Sequence, residues 1–531
     1  VRLEALGENI SQKEMESRYA DYFPNFIKQG IDAGLLDERL AQFDLAQLAA
    51  ELVASRDMQF GYLGLQTLYD RYFLHINDKR IELPQAFFMR VAMGLALNEI
   101  DREARAIEFY HVLSKFDFMS STPTLFNSGT CRPQLSSCYL TTVPDSLDSI
   151  YEAIKENALL SKFAGGLGND WTPVRAMGSR IKGTNGKSQG VVPFLKVVSD
   201  TAVAVNQGGK RKGAVCAYLE CWHLDIEEFL ELRKNTGDDR RRTHDMNTAV
   251  WIPDLFMKRV MENADWTLFS PSDTPDLHEK YGKAFETAYL SYEEKASRGE
   301  LSLYKQVSAQ QLWRKMLTML FETGHPWITF KDPCNIRSPQ SHVGVVHSSN
   351  LCTEILEVTT YDETAVCNLG SINLGQHLNE YKEFDFEKLA ETVQLAVRQL
   401  DRVIDLNFYP IESARRGNLR WRPVGLGMMG LQDVFFQMRL AFDSEAARKL
   451  SAKIAEEIYY QALSTSTELA LERGAHPSFA ETRAAKGELQ FDAWNIAPEN
   501  SVRWDALRER IKQQGLRNSL LIAIAPTATI A

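Results

Sequence analysis

Residues 501–530 read SVRWDALRERIKQQGLRNSLLIAIAPTATI. SVRWDALRERIKQQ has the pattern of a helix, and Gly515 supplies a C-terminal stop. NSLLIAIA (518–525) then reads as a buried strand, and PTATI as the turn after it. A helix feeding an apolar strand is the repeating unit of a parallel α/β sheet, whose ligands bind at the carboxyl ends of the strands. PTATI sits at such an end.

The same alternation recurs upstream. A long helix from about Ser444 stops near Gly474, and Leu389, Val393, Ala396, Val397, Leu400 and Ile404 form an apolar helical stripe. AVCAYLEC (214–221) reads as a buried strand followed by a helix that begins near Asp225. The segment 145–163 predicts a helix with Asp145 as N-cap and with Leu147, Ile150, Tyr151, Ile154 and Ala158 on one face, a stripe that must pack on something. Before about residue 118 the texture is helical, as in LAQLAAELVASRD (45–57) and QAFFMRVAMGLALNE (85–99). The reading is therefore an all-α N-terminal domain over 1–117 and an α/β domain over 118–531.

The composition is that of a globular protein: 531 residues, 44% hydrophobic and 24% charged. With 60 basic and 70 acidic residues the net charge is -10, which argues against a grip on nucleic-acid backbone and favours a small-molecule substrate. No apolar run reaches the length of a membrane span, and the opening VRLEALGENISQKE lacks a secretory layout, so a cytoplasmic location is expected. Seven cysteines (Cys131, Cys138, Cys216, Cys221, Cys334, Cys352 and Cys367) are too few for a disulfide scaffold. None forms a C-x-x-C pair, and no metal site is expected.

Chemistry concentrates in SSNLCTE (348–354), where an amide, a thiol and a carboxylate alternate as Asn350, Cys352 and Glu354. In an extended segment all three project from one face, a pattern that an ordinary half-exposed strand also shows. Cys138 in PQLSSCYL and Cys367 in ETAVCNLGSINLG are distant in sequence, but a fold could unite them as a two-electron dithiol.

These segments resemble the large subunit of class I ribonucleotide reductases. The similarity also runs through SSTPTLFNSGT, PDSLDSI, SKFAGGLG, VRAMGSRIKGTNG, QGGKRKGA, LECWHLDIEEFLELRKNTGDDRRRTHD, GLGMMGLQD and APTATIA, covering about 118–531. It implies a ten-stranded α/β barrel of two five-stranded halves with Cys352 on a loop enclosed inside it. With Val1 and Ala531 as ends, a fragment is expected, its barrel incomplete at the C-terminus.

The resemblance assigns roles. Cys352 would carry a thiyl radical that takes the substrate 3′-hydrogen, and Glu354 would take the 3′-hydroxyl proton with Asn350 bonding to the ribose. Cys138 would help the 2′-hydroxyl leave, then close a disulfide with Cys367. Thr122, Ser137 and Gly165 would contact substrate, with Thr527, Ala528 and Thr529 on its diphosphate. Asp145, Ser146, Lys162, Arg175, Lys182 and Gly183 would bind a dNTP or ATP effector near a homodimer interface, and Gln207 and Arg211 would carry its signal. No covalent cofactor is implied; the radical would come from a small metal-containing beta subunit, and reducing power from a thioredoxin- or glutaredoxin-type protein. An adenosylcobalamin-dependent reductase and a noncatalytic nucleotide-sensing paralogue are the alternatives; the wording of SSNLCTE and APTATIA disfavours the first and the retained thiols the second.

Overall fold

The computed structural model describes residues 1–163, 165–205 and 213–531. Ser11 and Glu14 form a capping box that starts helix α1 (Gln12–Asp32), and Met15, Tyr19, Phe23, Phe26 and Ile27 bury one face of it. Helix α2 (Pro84–Ala96) is buried along its whole length and packs on α3 (Arg102–Ser114). Within this region Arg90 and Glu82 form a fully buried ion pair of 2.6 Å, with further Arg90 bonds to the carbonyls of Leu125 and Ser128. The expected helix at 45–57 is shorter than its pattern: it stops at Ala50 and resumes as a 3-10 turn at Ala54, while the Val53 amide between them is taken by the Tyr110 hydroxyl.

Beside two two-stranded ribbons, the described chain from Phe118 builds two sheets of three or more strands. Their strands are β1 (Phe118–Ser120), β2 (Cys138–Thr142), β3 (Gly166–Asp170), β4 (Ala214–Glu220), β5 (Asn247–Ile252), β6 (Trp327–Phe330), β7 (Ala365–Cys367), β8 (Leu369–Asn373) and β9 (Gly425–Met429). The larger sheet has the order β6-β5-β4-β3-β2-β7, with the first five strands parallel and β7 antiparallel to β2. The smaller has β8 between a parallel β9 and an antiparallel β1. Because β7 and β8 are separated only by Asn368, one run of chain ties the two sheets together. This mixed architecture agrees with the expected α/β barrel class.

Alternation along the strands defines two faces. Val215, Ala217, Leu219, Val250 and Ile252 pack outward with the surrounding helices, including α4 (Leu147–Lys162) and α5 (Val192–Ala204). Cys216, Tyr218, Ala249 and Trp251 face inward onto Val346, Leu351 and Val358 of the segment carrying Cys352. A further core joins the N-terminal helices to α6 (Phe386–Leu406), α7 (Glu445–Arg473) and α8 (Ser501–Gln514). The predicted stops and starts appear here: Ser444 caps α7, Gly474 ends it, and Gly515 ends α8 with φ 84°.

The 518–525 expectation needs correction. Leu426 and Ile522 form a parallel bridge, and backbone bonds join 520–523 to β9, but Ile522 and Ile524 are exposed while Leu521 and Ala523 are buried. The segment is an edge covered on one face, so its continuous apolar run does not report two-sided burial. Among the described residues no helix is long and apolar enough to cross a membrane.

Candidate active site

Cys138 and Cys367 are register partners in the antiparallel β2–β7 pair. Directly opposed residues in such a pair have Cα atoms about 4.5–5.5 Å apart, which suits a disulfide. Both are thiols here and both are buried. Burial pushes the Cys367 thiol well above its ordinary pKa, and hydrogen bonding to Cys138 and the charges of Glu354 and Glu357 add to that rise. Cys367 is therefore a protonated sulfur at neutral pH.

Asn350, Cys352 and Glu354 come together for a different reason than the one-face argument supposes. Residues 351–353 form a turn, with Thr353 at φ 70°, so the alternation of an extended strand does not apply. The Asn350 side chain closes this turn: its Oδ1 accepts the amides of Glu354 (3.0 Å) and Ile355 (3.1 Å). Its Nδ2 donates to Cys138 Sγ at 3.2 Å. One side chain thus connects the loop to the dithiol.

The sheet holds the loop closely. The Tyr218 hydroxyl donates to the Asn350 carbonyl at 2.7 Å. A Cβ on Gly168 would lie 2.1 Å from the Ser349 carbonyl oxygen, so only glycine permits this approach. Ser349 Oγ bonds the Ile355 carbonyl at 2.6 Å. Neither Tyr218, Gly168 nor Ser349 was singled out by the sequence; glycine in a strand interior was the available signal.

Burial raises the Glu354 pKa, opposed by its bond to Asn350, and Oε2 of this carboxyl is buried with no hydrogen-bond partner. On the returning arm Glu357 is 3% exposed, and burial lifts its pKa to about 8. Cys352 itself is exposed, contrary to the expected enclosure. The contacts that fix its loop come from β2, β3 and β4, whereas the smaller sheet has three short strands and the 520–523 edge. The loop is walled on the side of the larger sheet.

Thr122 and Thr529 meet: the Tyr72 hydroxyl bonds Thr529 Oγ1 at 2.6 Å and Thr122 Oγ1 at 3.0 Å. Tyr72 belongs to the helical region and was missed by the sequence. Ser137 Oγ donates to Ser121 Oγ at 2.7 Å. Gly165 is buried against Tyr139, and Thr527 precedes a single 3-10 turn, Ala528–Ile530.

Two family models match this chain: ribonucleotide reductase, all-alpha domain, over residues 58–133, and ribonucleotide reductase, barrel domain, over 136–531. The chain belongs to the ribonucleotide reductase family. It is 55% identical over 543 aligned positions to the ribonucleoside-diphosphate reductase subunit alpha of Chlamydia muridarum, covering 100% of this chain and 52% of that protein. It is 45% identical to the ribonucleoside-diphosphate reductase large subunit of Plasmodium falciparum, covering 100% of this chain and 65% of that protein. For the Arabidopsis thaliana large subunit the identity is 46%, over 91% of this chain and 61% of that protein. The chain thus spans roughly half to two thirds of the length of these relatives.

Within this ribonucleotide reductase chain the expected effector residues divide. Ser146, not Asp145, caps α4, accepting the Ser149 amide. Asp145 instead accepts the backbone amide of Arg175 (3.1 Å) and pairs with its guanidinium (2.9 Å), because the two approach from adjoining loops. Arg175 also donates to the Arg180 carbonyl at 3.0 Å, next to the Lys182 and Gly183 turn. Lys162 ends the same helix, about 22 Å from its start at 1.5 Å per residue, and lies near the Phe163 ring. Ile150 and Ile154 bury the inner side of the α4 stripe, while Leu147 (64% exposed) and Tyr151 (51%) remain outside it. Gln207 and Arg211 lie outside the described residues.

Proposed function

We propose that this chain is the catalytic core of a ribonucleotide reductase that converts ribonucleoside diphosphates to deoxyribonucleotides through a thiyl radical on Cys352. The observation that carries this reading is the linkage of three thiols through one amide. Cys138 faces Cys367, and Asn350 bonds Cys138 while closing the turn that holds Cys352 and Glu354. A purely structural thiol has no need of that company.

The chemistry follows from the atoms present. Cys352, as a sulfur radical, takes the hydrogen atom from C3′, and Glu354 takes the 3′-hydroxyl proton. Asn350 has its oxygen committed to backbone amides and one of its two Nδ2 hydrogens to Cys138, leaving the other for the ribose. Cys138 protonates the departing 2′-hydroxyl, which leaves as water. Closure of the Cys138–Cys367 disulfide supplies two electrons, the Cys367 hydrogen goes to C2′, Glu354 returns its proton to the 3′-oxygen, and Cys352 returns its hydrogen atom to C3′. The raised pKa of Cys367 keeps that sulfur as a hydrogen donor.

Thr122, Ser137 and Gly165 would line the substrate, and Thr527, Ala528 and Thr529 would bind its diphosphate. The first and last of these hydroxyls share the Tyr72 hydroxyl. A dNTP or ATP effector would bind among Asp145, Ser146, Lys162, Arg175, Lys182 and Gly183. A second copy of the chain would cover exposed Leu147 and Tyr151, in keeping with the separation of Lys162 from Asp145. A small beta subunit would supply the radical, an external dithiol protein would reopen the disulfide, and the assembly would be cytoplasmic. We assign 1–117 as the helical domain and 118–531 as the catalytic one.

The test is tritium release from the substrate 3′-position in the full-length enzyme. Cys352→Ser should fold and bind substrate but release none, since an O–H bond is too strong to exchange hydrogen atoms comparably. Cys367→Ser should still release tritium while yielding decomposed nucleotide. Release persisting in Cys352→Ser would remove this cysteine from the mechanism.

A further inference from the structure

The opposite end of the larger sheet holds a second cluster. Asp170, the last residue of β3, is fully buried, and its Oδ2 lies 2.7 Å from Nε2 of His278. His278 stacks on His347 with ring centroids 3.7 Å apart and planes 12° apart. Glu279 Oε1 reaches Nδ1 of His278 and Nε2 of His347, each at 3.2 Å. One donor atom from each of Asp170, His278 and His347 lies within 4.8 Å of the others.

Two features point to a ligand here. His347 is 3% exposed, and its Nδ1 is buried with no hydrogen-bond partner, an unfavourable state for an imidazole lone pair or N–H. Among the described residues no lysine or arginine pairs with Asp170, whose partners are Nε2 of His278 and the Thr172 amide. The neighbouring Lys331 is committed to Glu220 at 2.7 Å and to the His278 carbonyl at 2.9 Å. A buried carboxylate needs a compensating charge, and the one imidazole of His278 faces two carboxylates, Asp170 and Glu279. A divalent ion would balance Asp170 and Glu279 together.

We propose that Asp170, His278 and His347 bind one divalent first-row transition ion of the zinc class, with Glu279 as the fourth ligand. Two imidazoles and two carboxylates suit such an ion better than magnesium or calcium, which prefer an all-oxygen set. Tetrahedral ligands at about 2.0–2.1 Å from the metal lie about 3.4 Å apart, so the 2.7 Å Asp170–His278 pair must open slightly while the wider pairs, up to 4.8 Å, draw in. The imidazole lone pairs lie in their ring planes, so one stacked ring must rotate, and the more exposed Glu279 can follow it.

The site is separate from the dithiol. Cys138 and Gly166 are register partners at one end of β2 and β3, and Thr142 and Asp170 at the other, a span of about 13 Å at 3.3 Å per residue. It lies at the root of the catalytic loop. His347 follows Val346, whose amide and carbonyl are both held by Asn335. An ion there fastens the arm leading to Cys352 onto the end of β3.

Cobalt(II) binding to the chelator-treated chain tests this without reference to activity. One equivalent should bind, with the visible bands of four-coordinate cobalt and without the intense charge-transfer absorption of thiolate ligands. His347→Gln and Asp170→Asn should each weaken binding at least tenfold, and Glu279→Gln, on a more exposed side chain, should weaken it in a chain whose folding is untouched. Zinc should raise the melting temperature of the parent chain and not that of His347→Gln. Absence of stoichiometric binding, a thiolate spectrum, or binding indifferent to both His347→Gln and Glu279→Gln would overturn the proposal.

Discussion

The two sheets hold their functional residues in different ways. On the larger one, five parallel strands carry helices on one face and the Cys352 loop on the other, and Asn350 and Tyr218 tie that loop to the strands while Glu354 Oε2 stays without a partner. Asn350 alone engages Cys138, Glu354, Ile355 and, through its carbonyl, Tyr218. On the smaller sheet the corresponding residues, Thr527 to Thr529, follow an edge segment with one covered face, and Thr529 is held by Tyr72 from another region. The contrast teaches that the three-thiol site is tied strand by strand to one wall, while the Thr527 to Thr529 end relies on a short turn joined to the helical region.

The strongest way to break this contrast is Gly168→Val. A branched side chain at a point where even a Cβ lies 2.1 Å from the Ser349 oxygen must displace the loop, so a loss of about 3 kcal/mol is expected in denaturant unfolding, with activity lost as well. An unchanged midpoint would show that the loop is not pinned by this wall.

Glu357 sharpens the comparison through pH. Its folded pKa of about 8 lies above the ordinary carboxylate value of 4.5, so the folded state favours the protonated carboxyl. Its stability contribution is whole below 4.5 and is lost as pH rises toward 8, at up to about 1.4 kcal/mol per pH unit. Glu357→Gln should flatten that slope and raise the melting temperature more at pH 8 than at pH 5. Equal shifts at both values would remove Glu357 as a buried acid.

Smaller effects are expected at the other sheet. Tyr72→Phe removes the hydroxyl shared by Thr122 and Thr529, and should cost about 1 kcal/mol in stability while raising KM for substrate more than it lowers kcat. Ile524→Asn, at a residue 55% exposed, should change stability by less than about 0.5 kcal/mol. A loss of several kcal/mol there would mean that the edge is covered after all.

Periodicity and stop signals were enough for the helices of the second half, but not for 45–57, where the helix breaks at Ala50, nor for the cap expected at Asp145. The α6 stripe, Ser444, Gly474 and Gly515 all play their local parts, because capping and helical spacing depend on neighbours a few residues away. The family was legible in the motif wording. Burial at 518–525 was not, because an apolar run looks the same whether one face or two are covered. Nor was the reason Asn350 and Glu354 meet, since a turn closed by a side chain breaks the alternation that a strand would impose. The opposition of Cys138 to Cys367, the passage of the loop over Gly168, and the gathering of Asp170, His278 and His347 belong to the tertiary structure alone. Strand register and loop threading bring together residues far apart in the chain, and no local pattern encodes that distance.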